Sequence, residues 1–187
     1  MVQNQDWGEA YKELCDLIKN NTEPTLGIEE VLHVDMWHEQ VNYLAEEYPF
    51  PPNSVFIRFQ TKSITTNANK VQDLNMEITF FFVLDTLADT YQTAETQPLA
   101  LSFIQTCKKI HKVMQGRSGL NFSNLDRNDM GNYPAPEYLI VFYQTYTTII
   151  RDMSAMDEPG EGTLTGATVN NNQAPGAVDS EPLYRMD

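Results

Sequence analysis

Between residues 73 and 86 apolar side chains first alternate with polar ones and then occupy both faces of an extended segment. Leu74, Met76, Ile78, Phe80, Phe82 and Leu84 share one face, while Asn75, Glu77 and Thr79 begin the other and Phe81 and Val83 finish it. A period of two predicts a strand whose second half is buried on both sides. A half-wet antiparallel sheet keeps its outer face polar, so a helix or another subunit has to cover Phe81 and Val83.

The next pattern has the period of a helix. Over residues 97–115, Leu99, Phe103, Ile104, Cys107, Ile110, His111 and Met114 recur at spacings of three and four and make one apolar stripe. Thr96 suits the cap, Pro98 the first turn and Gly116 the stop. Lys108, Lys109 and Lys112 gather in the last two turns, where cations complement the helix dipole. That solvated helix end is the preferred reading of "CKKIHK" over a phosphate-binding patch.

Weaker patterns flank this pair. Asp6 and Glu9 have capping-box spacing ahead of a short stripe of Trp7, Tyr11, Leu14 and Ile18, with Leu17 beside it, and "NNTEP" ends that helix. Residues 28–37 alternate with Leu32, Val34 and Met36 inward, which favours a strand. The prolines of "EEYPFPPNS" exclude regular structure and lead into a strand over residues 55–62. There Val55, Ile57 and Phe59 face one way and Phe56, Arg58 and Gln60 the other. "SITTNANKVQD" then reads as a long polar loop, a candidate for contact with a partner.

Leu120, Phe122 and Leu125 suggest a short irregular strand, and "DRNDMGNYPAP" (residues 126–136) a turn-rich connection. Residues 138–150 alternate throughout. At about twice the usual strand length, part of this segment is expected to project beyond the sheet or to pair with another chain. The expected class is α+β: an antiparallel sheet packed against one or two helices over residues 1–151, followed by an irregular acidic arm over residues 152–187.

Charge sharpens that boundary. The chain of 187 residues carries 26 acids against 12 lysines and arginines, a formal charge of −14. Residues 152–187 hold seven acids and one base, which leaves −8 on the rest. This arm is rich in Gly, Asn, Pro and Thr and cannot bury enough on its own to stay ordered, yet Leu183, Tyr184 and Met186 cluster at its end. It reads either as a solubilising tail or as an arm that orders across a neighbouring subunit. An acidic field disfavours tight or sequence-reading contact with nucleic acid, although a surface that DNA slides past gains from not adhering.

Chemistry-bearing residues are sparse. His33 and His38, with Asp35 and Glu39, are the nearest approach to a metal-ligand cluster, but a gap of five fits neither a helix face nor a strand face. Asp126, Asn128 and Asp129 resemble the start of a calcium loop without its glycine and glutamate. Cys107 and His111 could pair on one helix face, but a core cysteine beside a partly exposed histidine is favoured, and Cys15 also belongs on an apolar face. There is no Gly-rich phosphate loop and no nucleophile elbow, so no enzyme activity, cofactor or metal is expected. The two cysteines make no disulfide framework. The start of the chain has no signal-peptide pattern, and no run of about 18 apolar residues occurs, which predicts a soluble protein made in a reducing cytoplasm.

The element order, together with "YPFPPNSVFIRF", "NMEITFFFVLD", "KKIHKVMQGRSGLNFSNLDRND" and "YPAPEYLIVFYQTYTTI", resembles the tail-terminator and tail-completion proteins of tailed bacteriophages and phage-derived elements. The resemblance covers residues 6–150. It implies a virion protein of the head–tail neck, synthesised in the host bacterial cytoplasm, that forms a ring, with six or twelve copies the expected numbers. The sheet would line a channel through which DNA passes without specific binding, with neighbouring neck and tail proteins as partners and no membrane.

On that reading the candidate subunit interface is Phe81, Val83, Tyr143, Tyr146, Leu183, Tyr184 and Met186. The long acidic arm departs from the compact members of the family. The alternative is a non-enzymatic adaptor of low assembly state that recruits a partner through that arm.

Overall fold

The doubly apolar strand and the amphipathic helix lie against each other in the computed structural model of this chain, which describes residues 7–19, 31, 33–43, 50–51, 53–85, 91–135 and 139–156. These residues belong to one unit, Met1–Asp157. Helix α1 (Trp7–Lys19) is followed by the short strand β1 (His33–Met36), then β2 (Ser54–Thr66) and β3 (Gln72–Asp85). A helical turn α2 (Gln97–Ala100) leads into α3 (Ser102–Met114), and β4 (Asp126–Tyr133) and β5 (Leu139–Asp152) complete the fold. The strands form one sheet in the order β1-β2-β3-β5-β4. The class is α+β.

The sheet is mixed. β1 runs parallel to β2, and the other neighbours are antiparallel. A parallel pair needs a crossover, and the segment between β1 and β2 supplies it with the 3-10 turn Gln40–Asn42.

The inner face carries Val55 and Ile57 of β2, Leu74, Met76, Ile78, Phe80 and Phe82 of β3, and Tyr146 and Ile150 of β5. Against it pack Ala10, Leu14 and Ile18 of α1, Cys107, Ile110 and Met114 of α3, and Phe122 and Leu125. The stripes read from helical spacing thus meet the strand face read from alternation. Asp6, the supposed cap of α1, lies outside the described residues, as does the arm from residue 157 onward with Leu183, Tyr184 and Met186.

Four segments differ from the sequence reading. The predicted polar loop is mostly strand: β2 continues to Thr66 and pairs with β3 as far as Gln72, leaving residues 67–71 as the turn. The β-branched Ile64, Thr65 and Thr66 extend readily, and a bulge between Thr61 and Ser63 absorbs one residue.

"DRNDMGNY" is the edge strand β4 rather than a turn. No core face marks it, because its side chains are exposed or half-buried throughout.

The segment around Leu120 is not a strand. Its hold is the Glu13 carboxylate, which accepts from the backbone N–H groups of Leu120 (2.9 Å) and Asn121 (3.2 Å) and from Asn121 Nδ2 (3.1 Å). β5 does not project alone, since it pairs with β3 from Leu139↔Asp85 to Asp152↔Gln72.

Candidate functional site

The outer face of the sheet divides into a covered half and an open half. In the covered half Phe56, Phe81, Val83 and Val141 are buried with Val41, flanked by Trp37, Phe50, Tyr133 and Tyr143. Trp37 stacks on Phe81 with ring centroids 4.0 Å apart and planes 13° from parallel. Tyr133 meets both rings edge-on, at 5.1 Å and 5.6 Å. Phe50, from the proline-rich lead-in, closes over Phe56 at 5.0 Å.

Within the chain, Phe81 and Val83 are covered by side chains of the β1–β2 crossover, Trp37, Val41 and Phe50, and by Tyr133. Parallel pairing of β1 with β2 delivers Trp37 onto this face, since Trp37 N still donates to Ile57 O at 3.0 Å where β1 ends.

Beyond the aromatic cluster lies a shallow depression of about 300 Å³ lined by Arg58, Gln60, Lys62, Glu77, Phe81, Asp129, Tyr133, Tyr143 and Thr145. On its floor the buried hydroxyls of Thr79 and Thr145 share a hydrogen bond of 3.0 Å. Its charges are largely spent on the chain itself. Lys62 Nζ pairs with Glu77 Oε2 at 2.7 Å, and Asn128 Nδ2 donates to Glu77 Oε1. The Tyr143 hydroxyl donates to Asp129 Oδ2 at 3.2 Å. The Tyr143 hydroxyl is held above the ordinary phenol range by partial burial and then by this carboxylate. The Arg58 guanidinium sits over the Phe81 ring, 5.2 Å from its centroid.

Further along the same face Arg151 Nε donates to Asp73 Oδ1 at 2.9 Å, and Asn67 Nδ2 adds a second bond to that carboxylate. These two hydrogen bonds, the Arg151 one first, hold the Asp73 carboxyl below the usual range. With Lys62 and Arg151 already paired to carboxylates, this face has less to offer a phosphate backbone.

Of the residues expected at an interface, Phe81, Val83 and Tyr146 are buried within the single chain, and Tyr143 is partly open at the rim of the depression. Tyr146 points to the inner face. Its hydroxyl donates to Gln144 Oε1 (2.9 Å) and meets His111 Nδ1 (3.0 Å), while Gln144 Nε2 donates to Cys107 O (3.1 Å). The network pins α3 to β5.

Burial pushes the Cys107 thiol up to about 12, the reverse of an activated thiolate. It also lowers the His111 pKa, with Arg127 adding to the effect. His33 and Asp35 approach at 3.8 Å. Among the described residues no group of three or more His, Cys, Asp or Glu side chains is placed to hold a metal ion, and no helix is long and apolar enough to cross a membrane.

Arg58, Lys62 and Glu77 were legible as the polar members of the strand alternation; Asp129 was not, because its segment looked like a turn. No protein-family model matches this chain, and no curated protein matches it in sequence.

Proposed function

We propose that this chain is a structural protein of the bacteriophage head–tail junction, a tail-terminator or connector subunit that works by assembling into a ring around a DNA-conducting channel. The observation that carries the reading is the open half of the outer sheet face: an extended polar surface across four strands on which Lys62 and Arg151 pair with carboxylates of the same chain. Such a wall suits a conduit, because DNA passing it finds few unpaired cations to which its phosphates could be tied. The acidic balance of the chain acts in the same direction. Residues 157–187 would reach a neighbouring copy or an adjoining virion protein.

The test is the solution mass, by light scattering behind size exclusion, of the full chain and of a variant ending at Met156, with negative-stain imaging of any large species. Closed rings, formed alone or on mixing with neck components, are the expected result. A monomer that never assembles in either form would overturn the reading in favour of an adaptor. A difference between the two forms would assign the arm its part in assembly.

A further inference from the structure

Among the described residues the two long sides of the sheet are each open, and they are open at different heights. On one side β1 covers β2 only at Ser54–Ile57, so residues 58–66 of β2 have no neighbouring strand among the described residues. The Trp37–Ile57 bond is the last on that side, and strand alternation then turns the backbone groups of Phe59 and Thr61 outward. On the other side β4 pairs with β5 alone, leaving its far edge, eight residues long, without a strand among the described residues. Unpaired edges of this length are templates for another strand.

Large exposed apolar residues stand at both edges. Ile64 (56%) and Trp7 (49%) lie at the β2 side, and Met130 (50%) lies on β4. Ile64 and Met130 face the same side of the sheet, because they oppose Leu74 and Gln144 on the helix-covered face.

We infer that copies of this chain join edge to edge, β4 of one copy adding antiparallel to residues 58–66 of β2 in the next and bringing Met130 to Ile64. The inference deepens the ring reading and rests on it for the head-to-tail relation of the copies. Direction supports it: β2 and β5 run one way and β3 and β4 the other, so copies related by rotation about an axis along the strands present β4 antiparallel to β2. Length supports it as well, since the eight residues of β4 fit the nine-residue gap past the end of β1.

The offset in height is what a closed sheet requires. The centre of β4 is level, through Gln144 and Phe80, with Ile57, whereas the centre of the open stretch is Lys62. About five residues at ~3.3 Å each, taken across four strands about 4.8 Å apart, incline the strands by roughly 40° to the ring axis. Closed barrels tilt by about 35–45°. A contact between unlike edges is heterologous, and it gives a ring where its rotation closes and an open filament where it does not. In that ring the helices α1 and α3 stay on one surface and the polar outer face on the other.

The experiment uses the full chain with Cys15→Ser in the background. Variants that each add one cysteine beside the buried Cys107, Met130→Cys, Thr61→Cys, Ile64→Cys and Thr66→Cys, are oxidised alone and in mixtures, with peptide mapping of the cross-links and light scattering of the same samples. Met130→Cys is expected to link to at least one of the β2-edge cysteines in the mixtures, and no variant to link efficiently to itself. Self-linking of Met130→Cys alone would mean a two-fold β4–β4 contact and would overturn the inference. Rings that form without any such cross-link would overturn it while leaving the ring reading intact. Cross-linked pairs without rings would sustain the edge contact and count against the ring reading.

Discussion

Replacing Trp37 by alanine tests the claim that the chain covers its own outer sheet face. The side chain stacks on Phe81 at 4.0 Å and meets Phe56 and Tyr133 at 6.1 Å and 5.1 Å, so its removal opens the cluster around Phe81 and Val83 to water. Truncating a fully buried Phe or Trp costs about 3–5 kcal/mol. Trp37 is only partly buried, which reduces the transfer share, while each aromatic pair contributes about 0.5–1.5 kcal/mol beyond its area.

The expected loss is about 2–4 kcal/mol, which lowers Tm by roughly 5–15 °C in a chain of this size. Urea titration followed by far-ultraviolet circular dichroism measures it, with Trp7→Ala as the reference. Trp7 is 49% exposed and touches Phe59 with ring centroids 6.0 Å apart, so its truncation should cost about 1 kcal/mol. If Trp37→Ala unfolds at the same urea concentration as the wild type, or costs no more than Trp7→Ala, the cover is not what holds this face and the argument fails.

Other perturbations probe separate parts of the fold. Tyr146→Phe strips the buried Gln144 Oε1 of its hydroxyl donor and should cost about 1–3 kcal/mol in the same titration; a neutral result would show the network to be dispensable. Asp73 has its folded-state pKa depressed by Arg151 and Asn67, so its contribution is present above the unfolded value of about 3.9 and is lost as pH falls through the lower folded value. The difference in urea midpoint between wild type and Asp73→Asn should therefore be present at neutral pH and vanish in strong acid. Glu13→Ala removes the acceptor that holds Leu120 and Asn121, and faster amide exchange at both, read by NMR, is expected without loss of the α1 helix. Gly131→Ala puts a methyl about 3.0 Å from the Tyr143 hydroxyl oxygen and should displace that ring from Asp129. A Tyr143 phenol that titrates closer to its ordinary range in the variant would report the displacement.

Local pattern decided the inner core. The alternation of β3 and the three-and-four spacing of α1 and α3 identify the residues that the folded chain buries there, because periodicity fixes which side chains share a face wherever the element ends up. The helix stop was equally local, since Gly116 takes a positive φ of 72° that L side chains rarely adopt. The sequence also demanded a cover for Phe81 and Val83, but it could not name the cover.

That answer depends on β1 pairing parallel to β2, a contact between segments separated by a crossover, and nothing in the local pattern of "HVDM" sets its partner or direction. β4 was hidden for a related reason: a strand at an exposed edge has no face to bury, so its polar residues carry no periodic signal and only β5 beside it makes it a strand. The depression is tertiary in the same sense. It gathers Arg58 and Lys62 of β2, Glu77 of β3, Asp129 of β4 and Tyr143 of β5, neighbours across four strands that sequence spacing keeps far apart.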